Sequence, residues 1–153
     1  VRIAADENGR TIAWNEDHYG RAPAVGKTAI TSAVRSAAAR DGGPFSAPRE
    51  VATRRSRYFS TPAVAAAGGR AALAWGLQPT RNALGVQAAI GPAGIPGPPQ
   101  TVVAKQLQPG YYRSPPAITL ALDPNGTATV LYEEPVEGAN GPVMTRLMAS
   151  EST

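Results

Sequence analysis

The sequence predicts an all-β chain of antiparallel four-stranded units, arranged as a partial β-propeller of about three blades. Three observations predict this fold: apolar and polar residues alternate in short runs, glycine and proline are frequent between the runs, and one motif recurs three times. A β-sandwich is the alternative architecture, since it also uses short antiparallel strands. A chain of 153 residues is of the size that forms one core, so we expect a single repeat domain over 1–153.

The recurring motif is an extended run, a glycine turn and a second run that ends in an aromatic residue. Its three glycines lie 60 and 57 residues apart, and each precedes its aromatic by five or six residues. The pairs are Gly9 with Trp14, Gly69 with Trp75, and Gly126 with Tyr132. We therefore divide the chain into repeat 1 (1–54), repeat 2 (62–105) and an incomplete repeat 3 (116–153).

The first two strands of each repeat are predicted from alternation and from turn chemistry. Ile12 and Trp14 share one strand face, and the corresponding residues of the other repeats alternate in the same way. The turns at 6–9 and 123–126 end in Asn-Gly, which readily adopts the positive φ angles of tight hairpins. The turn at 67–69 achieves the same with two glycines.

The third and fourth strands follow in each repeat. Residues 33–37, 85–89 and 143–147 align as the third strand, although the alanine-rich residues 29–40 also suit a helix. The alignment favours the strand. The fourth-strand motif at 43–51 matches 94–102 at a constant offset of 51. The third repeat has no counterpart of this motif within the sequence, which ends at Thr153.

This pattern resembles the divergent propeller repeats of bacterial extracytoplasmic proteins that are distantly similar to sialidase-type propellers. The sialidase Asp-box places Asp two residues before Gly, whereas Asp6 lies three residues before Gly9. The resemblance therefore implies a propeller fold and an extracytoplasmic or secreted location rather than glycosidase chemistry. Because propellers have four to eight blades, either a longer protein or a homodimer of this chain would complete the ring.

Composition narrows the function classes. The net charge of +4, with 17% charged residues, is too small for a nucleic-acid-binding arm, so we expect no nucleic acid partner. The chain has no cysteine, and no apolar run approaches the roughly 20 residues of a membrane helix. We expect no cofactor, no metal and no membrane span.

Binding residues are expected on the propeller face that receives the long loops and the connectors between repeats. Aromatic rings beside arginines, facing carboxylates, suit a polar ligand such as a glycan or a peptide. The candidate ligand-binding residues are Glu16, Asp17, Tyr19, Arg57, Tyr58, Arg81, Tyr112, Arg113 and Glu133. The alternative role of Tyr58 and Tyr112 is structural, with each ring filling the gap between two adjacent blades.

No catalytic residues are assigned. Residues 15–19 are expected to form one of the long loops, and His18, the only histidine, is interpreted as an exposed surface residue within it. Glu133 and Glu134 would point to opposite faces of a strand, whereas a glycosidase needs two carboxylates that face each other. The sequence therefore predicts a non-catalytic binding or scaffolding module; the alternatives are a fragment of a propeller glycoside hydrolase of the sialidase type and a purely structural repeat.

Overall fold

A computed structural model of the chain describes residues 1–21, 28–55, 59–79, 83–106, 115–136 and 144–152. Within these residues every regular element is a β-strand, and every strand pair is antiparallel. The all-β class and the antiparallel sheets are thus confirmed. The described residues include no helix that is long and apolar enough to cross a membrane.

The first sheet contains β1 (Arg2–Asp6), β2 (Gly9–Arg21), β3 (Thr28–Arg40) and β4 (Arg49–Arg55), in that order. β2 and β3 pair along their full length of 13 residues. The alanine-rich residues 29–40 are therefore a strand and not the alternative helix, because their partner across the sheet is β2.

The middle sheet contains β5 (Ala63–Ala67), β6 (Arg70–Leu77), β7 (Ala83–Pro92) and β8 (Gln100–Gln106), again in chain order. Its strand order is that of the first sheet. The two sheets also share an irregularity in the pairing of their third and fourth strands.

This irregularity is a β-bulge at corresponding positions. The register of β3 with β4 shifts after Val34, and the register of β7 with β8 shifts after Val86. The extra residues on the fourth strands are Val51 and Val102, and both remain half-buried against the core. A bulge bends the strand that carries it, so the fourth strands of both sheets bend at the same height.

The third sheet contains β9 (Ile118–Leu122), β10 (Ala128–Val136) and β11 (Met144–Ser152), with β10 in the centre. Met148 lies opposite Tyr132, in the place that Arg35 and Gln87 occupy opposite the tryptophans of the other sheets. The sequence alignment of 143–147 with the earlier third strands is therefore wrong by three positions.

The three predicted hairpin turns are present. In the first sheet Asp6 pairs with Gly9 across a two-residue turn, and the middle sheet turns through Gly68 and Gly69, both at positive φ. In the third sheet Asp123 accepts a hydrogen bond from the Thr127 backbone N–H at 2.8 Å, which closes a longer turn. The positions of these three turns could therefore be predicted from the sequence.

Each sheet has two faces, which we call front and back. Successive side chains of a strand point to opposite faces. The front face carries the aromatic residue of the second strand, and the back face carries the residue before it. The front-face residues are Trp14, Trp75 and Tyr132, and the back-face residues are Ala13, Ala74 and Leu131.

The core consists of two layers between the sheets. In one layer Leu73 and Trp75, from the front face of the middle sheet, pack against Ala13 and Val34 on the back face of the first sheet. Phe59, in the segment after β4, adds an edge-on ring contact to Trp75 at 6.5 Å between centroids. The layer therefore joins β2, β3 and β6 through buried apolar side chains.

In the other layer Val130 and Tyr132, from the front face of the third sheet, pack against Ala74 and Val86 on the back face of the middle sheet. The sheets are thus stacked front to back, with the middle sheet covered on both sides. Within the described residues the three sheets do not close into a ring or barrel.

Candidate functional site

A groove of about 580 Å³ lies at one end of the first and middle sheets. It is formed between the turn that joins β3 to β4 and the turn that joins β7 to β8, with the β1–β2 turn beside them. Its described lining residues are Asn8, Ala38, Ala39, Arg40, Gly43, Pro44, Phe45, Ser46, Arg49, Ala93, Gly94 and Ile95.

One wall of the groove is built around Phe45. Phe45 is 40% exposed, and the Arg10 guanidinium lies over its ring with 5.5 Å between the Cζ atom and the ring centroid. Arg10 also donates a hydrogen bond from Nη2 to the Gly43 carbonyl at 3.1 Å, so one side chain holds both the ring and the turn. The Ser46 backbone N–H donates to the Ala38 carbonyl at 2.8 Å, which fixes the wall to β3.

The opposite wall is the turn of the middle sheet, where Ile95 is 55% exposed. Gly94 has a φ of 81°, a left-handed conformation that favours glycine. The Ile95 backbone N–H donates to the Pro92 carbonyl at 2.9 Å, and that of Gly97 donates to the Ile90 carbonyl at 3.2 Å. Backbone hydrogen bonds therefore fix the shape of both walls.

The groove combines apolar surface with positive charge. Arg40 and Arg49 are both exposed at its rim, and none of the described lining residues is acidic. Those residues also include no histidine or cysteine, and the Ser46 hydroxyl is already bonded to backbone groups of Ala38 and Ala47. The lining is therefore suited to binding, and it offers no acid–base pair.

Beside the groove, the Asp6 carboxylate links the β1–β2 turn to the β5–β6 turn. Its Oδ2 accepts a hydrogen bond from the Gly69 backbone N–H at 2.9 Å, and its Oδ1 accepts one from the Asn8 N–H at 2.8 Å. The bond from Gly69 is the main reason that the pKa of Asp6 lies below its ordinary value of 3.8. One carboxylate thus joins the hairpin turns of two sheets.

No family model, curated protein or solved structure matches this chain. Among the described residues no group of three or more histidine, cysteine, aspartate or glutamate side chains is arranged to hold a metal ion.

Three predicted binding residues lie on β2 and not in a loop, which corrects the sequence interpretation of 15–19. Polar residues are tolerated there because β2 continues to pair with β3 as far as Arg21. Glu16 lies 2.5 Å from the Arg35 guanidinium and 3.0 Å from the His18 ring, whereas Asp17 accepts a hydrogen bond from the buried Ser32 hydroxyl at 2.5 Å. Tyr19 is exposed near the end of the strand.

These β2 residues are far from the groove. Glu16 is seven residues along the strand from Gly9, which corresponds to roughly 23 Å at about 3.3 Å per residue. His18 is exposed, as predicted. The groove and the predicted face are therefore separate regions at opposite ends of the sheets.

Glu133 is exposed on β10, in the third sheet. Its neighbour Glu134 points the other way, is only 4% exposed, and forms an ion pair with Lys105 of β8. The predicted opposite orientation of this pair is confirmed. Because the first and third sheets lie on either side of the middle sheet, Glu133 is not brought together with Glu16 or Asp17.

The remaining candidates, Arg57, Tyr58, Arg81, Tyr112 and Arg113, lie outside the described residues. Sequence reasoning missed the groove because it treated the third-to-fourth-strand turns as simple connections. A signal was present: Phe45 and Ile95 are large apolar residues in segments rich in glycine and proline, and they lie one position apart in the aligned motifs, where Ile95 corresponds to Pro44.

Proposed function

We propose that this chain is a non-catalytic binding module of the β-propeller type, and that the groove between the first and middle sheets holds an extended peptide with acidic side chains. The observation that carries the proposal is the lining itself. Phe45 and Ile95 are exposed, and the described lining residues include Arg40 and Arg49 and no carboxylate.

The propeller part of the proposal is supported by the stacking of the sheets. Each has its strands in meander order, and the first strands lie together: β1 packs against β5, and β5 packs against β9. Radial stacking of four-stranded sheets around their first strands is the arrangement of propeller blades.

A peptide fits the groove better than a glycan does. Apolar and glycine residues dominate the lining, and the Ser46 hydroxyl is already bonded to the backbone. A sugar needs several directional hydrogen-bond partners, whereas an extended peptide can place apolar side chains on Phe45 and Ile95 and carboxylates at Arg40 and Arg49. No observation on the described residues favours the glycoside hydrolase alternative.

The test is a binding measurement with three synthetic peptides of one length and one apolar pattern, which carry Asp/Glu, Ser/Gln or Lys/Arg at the remaining positions. We expect the acidic peptide to bind at least about tenfold more tightly than the neutral one, which corresponds to about 1.4 kcal/mol. The basic peptide should not bind. An oligosaccharide array probed in parallel should give no signal.

The matched variants are Arg40→Glu with Arg49→Glu, and the control Arg54→Glu with Arg55→Glu. Both double variants change the net charge from +4 to zero, and all four arginines are exposed. Only the groove pair should abolish the preference for the acidic peptide. If both double variants lost the preference for the acidic peptide equally, the preference would come from general charge attraction and not from the groove. Binding to an oligosaccharide and to none of the peptides would contradict the proposed peptide ligand.

A further inference from the structure

The front face of the first sheet carries the same apolar positions as two faces that are buried. On the middle sheet Val64, Leu73 and Trp75 pack against the first sheet. The pairing registers place Ile3 opposite Ile12 just as they place Val64 opposite Leu73. The first sheet thus has the pattern of a packing face.

This pattern occurs a third time on the third sheet, where Leu120, Val130 and Tyr132 pack against the middle sheet. Trp75 and Tyr132 are both buried in these contacts. Trp14, in contrast, is only half-buried, and Ile3 is 61% exposed. The first sheet therefore carries a packing face of the same type that remains partly open to solvent.

The back face of the third sheet offers the complementary positions. Leu131 corresponds to Ala13 and Ala74, the residues that receive the neighbouring sheet in the two buried layers. It is half-buried, and Thr129 beside it on the same face is half-buried as well. Within the chain, a front face packs on a back face twice. The chain also carries one further front face, on the first sheet, and one further back face, on the third sheet.

We propose that two copies of this chain associate head to tail, with the front face of the first sheet of each copy packed on the back face of the third sheet of the other. The proposed contact repeats the front-to-back packing that already joins the first sheet to the middle sheet and the middle sheet to the third sheet. Two such contacts give a closed ring of six sheets, which is within the four to eight blades of propellers.

The ionic residues near Trp14 on the front face are paired with one another. Arg35 lies opposite Trp14 in the register of β2 with β3, and its guanidinium is 2.5 Å from Glu16 and 3.9 Å from Glu50. Covering charges that already pair within one sheet costs less free energy than covering unpaired charges. The inference is independent of the peptide groove, which lies at the turn end of the sheets.

The test is the solution mass by light scattering after size exclusion. We expect the unaltered chain to run at twice its mass of 15.8 kDa. Ile3→Lys should give the monomer mass, because it places a charge in the contact. Leu131→Glu, on the complementary face, should also give the monomer mass, and far-ultraviolet circular dichroism would show that both variants keep their strands.

Mixing the two variants distinguishes the arrangements. In the head-to-tail contact an equimolar mixture recovers the dimer, since one interface is unaltered and the other pairs Lys with Glu. The control Ile95→Lys carries the same change at a similarly exposed isoleucine away from both faces and should remain dimeric. A monomeric unaltered chain would overturn the proposal, and so would a dimer that Ile3→Lys breaks and Leu131→Glu leaves intact.

Discussion

The first and middle sheets have the same strand order and the same bulge, yet their tryptophans lie in different surroundings. Trp75 is 0% exposed, because the middle sheet packs against a neighbour on each face. Trp14 occupies the corresponding position and is half-buried, because only the back face of its sheet contributes to a core layer. The contribution of a residue to stability therefore depends on the position of its sheet in the stack.

The largest expected effect comes from replacing these two tryptophans. Trp75→Ala should lower the free energy of unfolding by about 3–5 kcal/mol, because it leaves a cavity in a packed layer. Trp14→Ala should lower it by about 1–2 kcal/mol, because less apolar area is lost. Urea unfolding of dilute, monomeric protein measures both.

A milder change at the same position provides the control. The Trp75 indole N–H is buried and has no hydrogen-bond partner among the described residues. Trp75→Phe keeps most of the ring and removes this unsatisfied donor, so its effect should be well below that of Trp75→Ala. Equal losses for the alanine variants at 14 and 75 would contradict the difference between the sheets.

The second prediction compares two ion pairs. Lys105 pairs with the buried Glu134 between the middle and third sheets, whereas Arg35 pairs with partly exposed carboxylates on the open front face. Lys105→Met should lower the free energy of unfolding by about 2 kcal/mol, since it removes a charged hydrogen-bond donor from a buried carboxylate. Arg35→Met should change it by less than about 1 kcal/mol.

The dependence of these two stability effects on salt concentration provides a second test of the difference between the ion pairs. Added salt screens exposed charges much more than buried ones. The difference in stability between Arg35→Met and the unaltered chain should therefore shrink in concentrated sodium chloride, while that of Lys105→Met should persist. A Lys105→Met effect that disappears in salt would place this pair with the exposed ones.

Most of the fold could be predicted from the sequence because the signals are local. Alternation and the Asn-Gly and Gly-Gly turns determine the hairpins, and these depend only on neighbouring residues. The position of β11 could not be predicted, since its register is set by pairing with β10 rather than by a turn signal. The front-to-back stacking was likewise beyond local reasoning, because it depends on contacts between distant segments such as Val34 and Trp75.

The candidate site was less predictable for a related reason. Charged residues such as Glu16 and Asp17 suggested a loop, but β2 extends through them because β3 supplies partners along its whole length. Phe45 and Ile95 belong to the aligned fourth-strand motifs, yet only the packing of the first and middle sheets makes them the walls of a groove. A site that is formed between sheets has no continuous sequence motif.

The smallest expected effect concerns the bond between the turns of the first and middle sheets. Asp6→Ala should lower the free energy of unfolding at neutral pH by about 1 kcal/mol, because the carboxylate accepts the Gly69 N–H. The folded pKa of Asp6 lies below its ordinary value of 3.8, so this contribution is present above pH 3.8. It is lost as the pH falls through the folded pKa.

Denaturant unfolding of Asp6→Ala and the unaltered chain at neutral and acidic pH measures this dependence. The two stabilities should differ at neutral pH and converge in acid, where the carboxyl group of the unaltered chain is protonated in both the folded and unfolded states. The control Asp41→Ala removes an exposed carboxylate from the β3–β4 turn and should change stability little at either pH. A difference for Asp6→Ala that stays constant into acid would mean that side-chain packing, and not the carboxylate's hydrogen bond to the middle sheet, stabilises the turn.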